Sequence, residues 1–241
     1  VVDWAKRDDG SHRSYRKDFE RVFGQPLDDA WQEWIAFERE FQGANLESVR
    51  TYPTTTYQAL TPEALGSVSR TYIDEETRTL IAGFQYPGVI AHIGAIPVDG
   101  GEAEQLREIK GPALYQVVSI AWDPESRTIF YTTDNYEYRD IIALDRDTGK
   151  EEVLLKDARI GDLAFNRADK SLWGIRHLNG YASLVRIPHP YTEWNLVKSF
   201  PYGTVPYDLD ISRDGQFLST SVGDIRGKHS LQVHAIEDVL L

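Results

Sequence analysis

The chain has 241 residues, 41% hydrophobic and 27% charged, with a formal net charge of −12 and no cysteine. That length and apolar content exclude a broadly disordered chain, and the lack of cysteine excludes disulfides and thiol catalysis while leaving cytosol, periplasm and exterior open. The acidic balance argues against general binding to a phosphate backbone, because Arg127, Lys170 and Arg176 are dispersed among acids instead of forming a basic stripe.

No run approaches the roughly 18 apolar residues of a membrane helix. Nor does a basic segment followed by an apolar one open the sequence. No direct membrane span and no nucleic-acid partner are therefore expected.

Residues 14–24 read as a short helix carrying Tyr15, Phe19, Val22 and Phe23. Pro26 suits an early helical position, and Asp28 and Asp29 favour the first turn of a second helix. From Leu27 the apolar residues Ala30, Trp31, Trp34, Ile35 and Phe41 recur at largely helical spacing, which predicts a packed segment anchored by Trp31 and Trp34. Gly43 and the Pro53 region are expected to break it. Residues 51–64 follow as a linker or a closing strand.

From residue 65 the sequence repeats. Asp74, Asp123, Asn166 and Ser212 each follow an alternating apolar strand, precede a second one, and lie 49, 43 and 46 residues apart. A four-stranded propeller blade commonly takes about 40–50 residues, whereas a leucine-rich repeat takes roughly 20–29. The fold class is therefore mainly β, a partial or small β-propeller with a short N-terminal α-helical segment.

About four blades are expected, over 65–110, 111–157, 158–203 and 204–241. Strands are predicted at 67–73, 79–84, 89–97 and 103–109, then 116–122, 128–132, 140–144 and 151–155. The third blade takes 162–165, 171–175, 182–187 and 195–200, and the fourth 207–211, 216–221 and 230–235. Asp147-Thr148-Gly149 reads as a hairpin turn rather than a calcium loop. Trp122, Phe165 and Ile211 fall at matching positions before the turns and should fill the spaces between sheets. Little sequence remains after Glu237 for another strand, so a partial ring is favoured, completed by a complementary propeller fragment or by sequence outside this chain.

Two segments carry a resemblance. Phe19-Glu20-Arg21-Val22-Phe23-Gly24-Gln25-Pro26-Leu27-Asp28-Asp29-Ala30-Trp31-Gln32-Glu33-Trp34 resembles the C-terminal helical tail of a gluzincin, thermolysin-like metallopeptidase domain. Ala121-Trp122-Asp123-Pro124 and Arg213-Asp214-Gly215 resemble TolB-like repeats of the WD40-like kind. The resemblance implies a bacterial protein in which residues 1–50 end a preceding domain. Any zinc would belong to that missing peptidase domain and none to this chain. A zinc peptidase needs a His-Glu-x-x-His segment, and His12, His92, His177, His189, His229 and His234 do not supply one.

No catalytic residue is therefore assigned, and none to metal: His229 and His234 lack local carboxylates in a ligand pattern. Binding has a better basis. Loops joining the second and third strands of each blade share one face with the loops entering the next blade. That places Tyr86, His92, Asn135, Tyr136, Arg139, His177, Asn179, Tyr181, Asp224 and Arg226 together, joined by Tyr115, Asp157 and Tyr207 from inter-blade loops. The expected function is a noncatalytic scaffold or a peptide- or protein-binding module within a larger protein or complex. The alternative is an accessory C-terminal portion of a zinc peptidase whose active site lies elsewhere.

Overall fold

The computed structural model describes residues 15–61, 66–86, 88–109, 119–134 and 138–240. The chain divides into two units, residues up to Gln58 and residues from Ala59 onward.

Among the described residues the first unit holds two helices, α1 (Tyr15–Phe23) and α2 (Leu27–Arg50). Gly24, at φ 74°, ends α1 and donates its N–H to the Glu20 carbonyl at 2.8 Å. Pro26 stands just outside α2 as its N-cap, not inside its first turn. Gly43 does not break α2. A helical glycine costs about 1 kcal/mol relative to alanine, and the good helix formers Glu38, Arg39, Glu40, Gln42, Ala44 and Leu46 outweigh it. The helix stops at Thr51, whose hydroxyl and N–H both reach the Ser48 carbonyl. The expectation of a packed segment fails. Trp31, Trp34, Phe37 and Phe41 are all exposed and no residue of α2 is buried. Helical spacing shows that these aromatics share a stripe, and cannot show whether anything covers it.

The second unit is four antiparallel sheets in chain order. Blade 1 contains β1 (Ser67–Val68), β2 (Tyr72–Asp74), β3 (Thr79–Tyr86), β4 (Val89–Pro97) and β5 (Glu104–Glu108); both β1 and β2 pair with β3, so the expected 67–73 strand is interrupted. Blade 2 contains β6 (Ile120–Asp123), β7 (Thr128–Asp134), β8 (Arg139–Asp145) and β9 (Glu151–Leu155). Blade 3 contains β10 (Ile160–Phe165), β11 (Leu172–Leu178), β12 (Tyr181–Ile187) and β13 (Asn195–Ser199). Blade 4 has three strands, β14 (Thr204–Ile211), β15 (Phe217–Asp224) and β16 (His229–Ala235), followed by a short helix α3 (Ile236–Leu240) that the sequence reading did not anticipate.

Alternation along each strand sends side chains to opposite faces, and the core accordingly lies between sheets. Ile81, Ile93 and Ala95 of blade 1 meet Ile120, Trp122 and Ile142 of blade 2. Phe130 and Ile141 of blade 2 meet Ile160, Leu163 and Phe165 of blade 3. Trp173, Ile175 and Leu184 of blade 3 meet Leu209, Leu218 and, half-buried, Ile211 of blade 4. Trp122 and Phe165 are buried as expected. Within blade 3, Gly174 allows β11 a close approach to β10: a Cβ there would lie 2.4 Å from Ile160 Cγ2 and 2.9 Å from the Gly161 carbonyl oxygen.

A polar joint repeats at the turns after the inner strands. Arg127 of blade 2, at φ 54°, donates through both terminal nitrogens to the Asp74 carboxylate of blade 1 at 2.8 and 2.9 Å, and through Nε to its own blade's Asp147 at 2.7 Å. Lys170 of blade 3, at φ 59°, pairs with Glu125 of blade 2 and lies 3.6 Å from Asp123. At the third joint Asn166 Nδ2 donates to the Gly215 carbonyl of blade 4 at 3.4 Å. Gly215 sits at φ 71°, where a Cβ would come within 2.3 Å of Asn166 Oδ1. Burial pushes the Asp74 carboxyl upward, but the Arg127 guanidinium and the Thr77 hydroxyl and N–H outweigh it and hold the group at about 2.

Candidate functional site

Because the strands alternate in direction, the end of β7, the start of β8 and the loops β11–β12 and β15–β16 share one end of the propeller with the starts of β10 and β14. Backbone bonds knit this end across two blades. The Arg159 N–H donates to the Arg139 carbonyl at 3.2 Å, and the His177 N–H donates to the Arg159 carbonyl at 3.0 Å.

The inner strands carry the polar residues of the mouth. Ser119, Asp162 and Asp208 each lie four residues before a repeat turn residue, Asp123, Asn166 and Ser212. Their side chains link neighbouring blades: Ser119 Oγ accepts the Leu163 N–H at 2.7 Å, and Asp162 Oδ1 accepts the Asp208 N–H at 3.4 Å. Both aspartates are left-handed, at φ 47° and 53°, and both lie within breaks of strand register, Gly161/Ala164 in β10 and Tyr207/Asp210 in β14. A bulge of this kind re-aims a side chain that regular alternation would send elsewhere.

Around Asp162 stand opposing charges. Burial raises its carboxyl above the ordinary carboxylate value and the Asp208 charge adds to the rise, while the Asp208 N–H, His177 and Arg139 pull the other way. The His177 ring keeps an exposed face, yet the surrounding protein removes enough water to lower its pKa, against the pull of Asp162, so it stays neutral at pH 7. Arg139 lies close over Gly161, where a Cβ would be 3.0 Å from its Nη1, and its Nε is 3.7 Å from Asp134. Tyr207 and His229 Nδ1 share a hydrogen bond of 2.6 Å on the blade 4 side.

Of the residues expected here, Arg139, His177 and Tyr207 border the mouth. Asn179 occupies the β11–β12 turn at φ 53°, and Tyr181 is exposed and packs edge-on against Tyr202. Asp224 caps its own turn by accepting the Arg226 and Lys228 N–H groups, and Arg226 is exposed. His92 lies against Phe84 in blade 1, with its Nδ1 2.9 Å from the Ile90 carbonyl. Asp157, at φ 50°, donates its N–H to Asp140 at 2.8 Å. Tyr115, Asn135 and Tyr136 fall outside the described residues, as does the Tyr86 side chain. Sequence reading missed Asp162 and Asp208. Their shared offset of four residues from the repeat turn was the available signal.

A second concavity, a cleft of about 590 Å³, opens at the opposite end between blades 2 and 3, floored by Phe130, Leu154 and Tyr191. Lys170, Glu125 and Asp123 on its rim are already engaged in the joint between those blades.

Four sheets radiating from inner strands, with core between consecutive sheets, define a β-propeller arrangement. Comparison with solved structures agrees. The chain is similar to a putative TolB from Agrobacterium tumefaciens at TM-score 0.57 and 13% identity, covering 68% of this chain and 60% of that one. It is similar to TolB from Acinetobacter baumannii at TM-score 0.59 and 11% identity, over 71% of this chain and 42% of that one. A chain of a nidogen/laminin complex matches at TM-score 0.52 and 16% identity, over 75% of this chain and 68% of that one. The chain thus spans about 60% and 42% of the two TolB structures. No family model and no curated protein matches the sequence. At these identities the likeness establishes a TolB-like propeller fold; it lends the gluzincin reading of residues 19–34 no support.

Proposed function

We propose that the propeller is a noncatalytic binding scaffold that seats a protein segment across the mouth bordered by Arg139, His177, Asp162, Tyr207 and Asp208, with a Lys or Arg side chain of that segment held between Asp162 and Asp208. The supporting observation is the pair of consecutive bulges, which hold two carboxylates at equivalent places on neighbouring inner strands. Two carboxylates this close repel, and Asp162 is already partly desolvated, so an incoming cation relieves both costs. Neutral His177 and the Tyr207–His229 pair offer polar and aromatic surface for the rest of the segment.

The test is fluorescence anisotropy with a labelled Lys/Arg-rich peptide and a citrulline/norleucine counterpart. Binding should weaken roughly tenfold or more in Asp162→Asn, since a buried charge contact carries on the order of 2 kcal/mol, with an unchanged melting curve. It should also weaken with added salt. Acidification should release the peptide, and because the Asp162 pKa is raised, release begins above the ordinary carboxylate range. Equal affinity for both peptides, or for Asp162→Asn and the parent, overturns the proposal.

A further inference from the structure

The three internal joints provide a template against which the two end sheets can be compared. In each joint the residue before the repeat turn packs toward the preceding blade, as Trp122 (2% exposed) does; in the first two a cation at positive φ, Arg127 or Lys170, reaches back to that blade's turn, and in the third Gly215 takes the same place. Blade 1 has the same residues with no sheet of the described residues before them, and Leu60 packs on part of this outer face, over Ala82, Phe84 and Ile96. Ile73, the counterpart of Trp122, is 57% exposed, and Val68 on the same face is exposed as well. Arg78, the counterpart of Arg127, is also left-handed, at φ 52°. It bonds its own blade's Asp99 through Nη2 alone, where Arg127 binds Asp147 and, bidentately, Asp74. Its side chain is 65% exposed against 13% for Arg127.

Blade 4 shows the complementary half. The register pairs Phe217 with Ala235, Ser219 with Val233 and Ser221 with Leu231, so these residues share one face, opposite to the Leu218 face that packs on blade 3. Leu231 is 73% and Val233 60% exposed, with Phe217 and Val205 exposed beside them. Among the described residues strand β16 pairs only with β15, whereas the third strands of blades 2 and 3 each carry a fourth. The inner strands of blades 1 and 4 are linked by Arg70 and Asp210 at 3.2 Å. The exposed parts of the two end faces, Val68 and Ile73 on blade 1 and Val205, Phe217, Leu231 and Val233 on blade 4, thus belong to one interrupted ring.

We propose that these end faces are docking surfaces for further propeller blades of the same ring. The blade preceding blade 1 presents an Asp or Asn at its first turn to Arg78 and an apolar face to Ile73. The blade following blade 4 covers Val205, Phe217, Leu231 and Val233, places a Lys, Arg or Gly of left-handed conformation against the Ser212 turn, and leaves β16 a fourth strand to pair with. Continuity with the internal joints and the exposure of Arg78, which meets Asp99 through one nitrogen where Arg127 engages two carboxylates, favour this occupant over an unrelated protein, which would have no reason to match both ends. The surfaces are separate from the peptide mouth, so the two proposals stand or fall independently.

The experiment uses the 241-residue chain and a version extended after Leu241 by copies of residues 158–203 and then 111–157, which bring a second Lys170 to the Ser212 turn and a second Asp123 to Arg78. Hydrogen exchange at Ile73, Leu231 and Val233 should slow at least roughly tenfold in the extended chain, and Arg78→Glu should reverse the gain at Ile73. In the original chain, Arg78→Glu and the Leu231→Lys/Val233→Lys pair should leave the melting temperature unchanged. This control decides the matter even if the added blades fail to fold. Loss of stability in either original-chain variant would show that the faces already have partners within the chain, and overturns the proposal. Folded added blades without protection at the end faces do so too. Concentration-dependent dimers of the original chain that protect the same residues would assign the faces to a second copy instead.

Discussion

Replacing Arg127 with alanine isolates the joint between blades 1 and 2. The Asp74 carboxylate is buried, and removal of one partner of a buried pair typically costs about 3–5 kcal/mol, because the other charge remains without compensation. Thr77 Oγ1 at 2.6 Å and the Glu76 N–H at 3.1 Å continue to serve Asp74, which places the expected loss near the lower end, about 3 kcal/mol. In a β unit of this size each kcal/mol moves the melting temperature by about 2–4 °C, giving a fall of roughly 6–12 °C. The pH dependence has a definite sign. A carboxyl lowered from 3.8 to about 2 on folding contributes about 2 kcal/mol of stability, fully present above pH 4 and lost as pH falls through about 2. The gap between parent and variant should therefore narrow over that interval. Urea titrations at pH 7 and along a descending pH series measure both quantities. Arg78→Ala, at the equivalent but solvent-exposed position, should cost no more than about 0.5 kcal/mol. A loss below about 1 kcal/mol for Arg127→Ala, or a gap that does not narrow in acid, would refute the reasoning.

Two further predictions concern packing. Trp122→Ala should destabilise the propeller by about 3–5 kcal/mol in urea denaturation, since it empties the space between blades 1 and 2; a negligible change would remove Trp122 from the core. Gly174→Ala should cost about 1–3 kcal/mol, because the new methyl meets Ile160 and the Gly161 carbonyl with little room to yield, and a melting temperature within 1 °C of the parent would show that β10 can move aside.

The repeat was legible because strand alternation and turn chemistry are local. Asp74, Asp123, Asn166 and Ser212 mark the turns in sequence and in space, and the apolar residues before Asp123 and Asn166 lie buried between sheets. Other features depend on partners distant in sequence. The exposed stripe of α2 obeys the same periodicity as a buried one, so Trp31 and Trp34 could be grouped but not covered. The bulges at Asp162 and Asp208 reflect a left-handed backbone that single residue types do not announce. The loops that gather at one end could be read from strand alternation, while the two carboxylates Asp162 and Asp208, which lie on inner strands, were overlooked.

The blade order also shapes how the molecule opens. Apart from Arg70 and Asp210, the polar links described between blades join neighbours, and every shared core cluster lies between consecutive sheets. Stability in such an array is approximately a sum of local terms, and the units at its ends lose partners first. Blade 4, with three strands and the neutral Asn166–Gly215 joint, should unravel at lower cost than blade 2, clamped on one side by a bidentate arginine and on the other by a lysine. A protease acting under native conditions would then meet the chain near β16 long before it reached Trp122, and the core surviving limited digestion would be the central pair of blades.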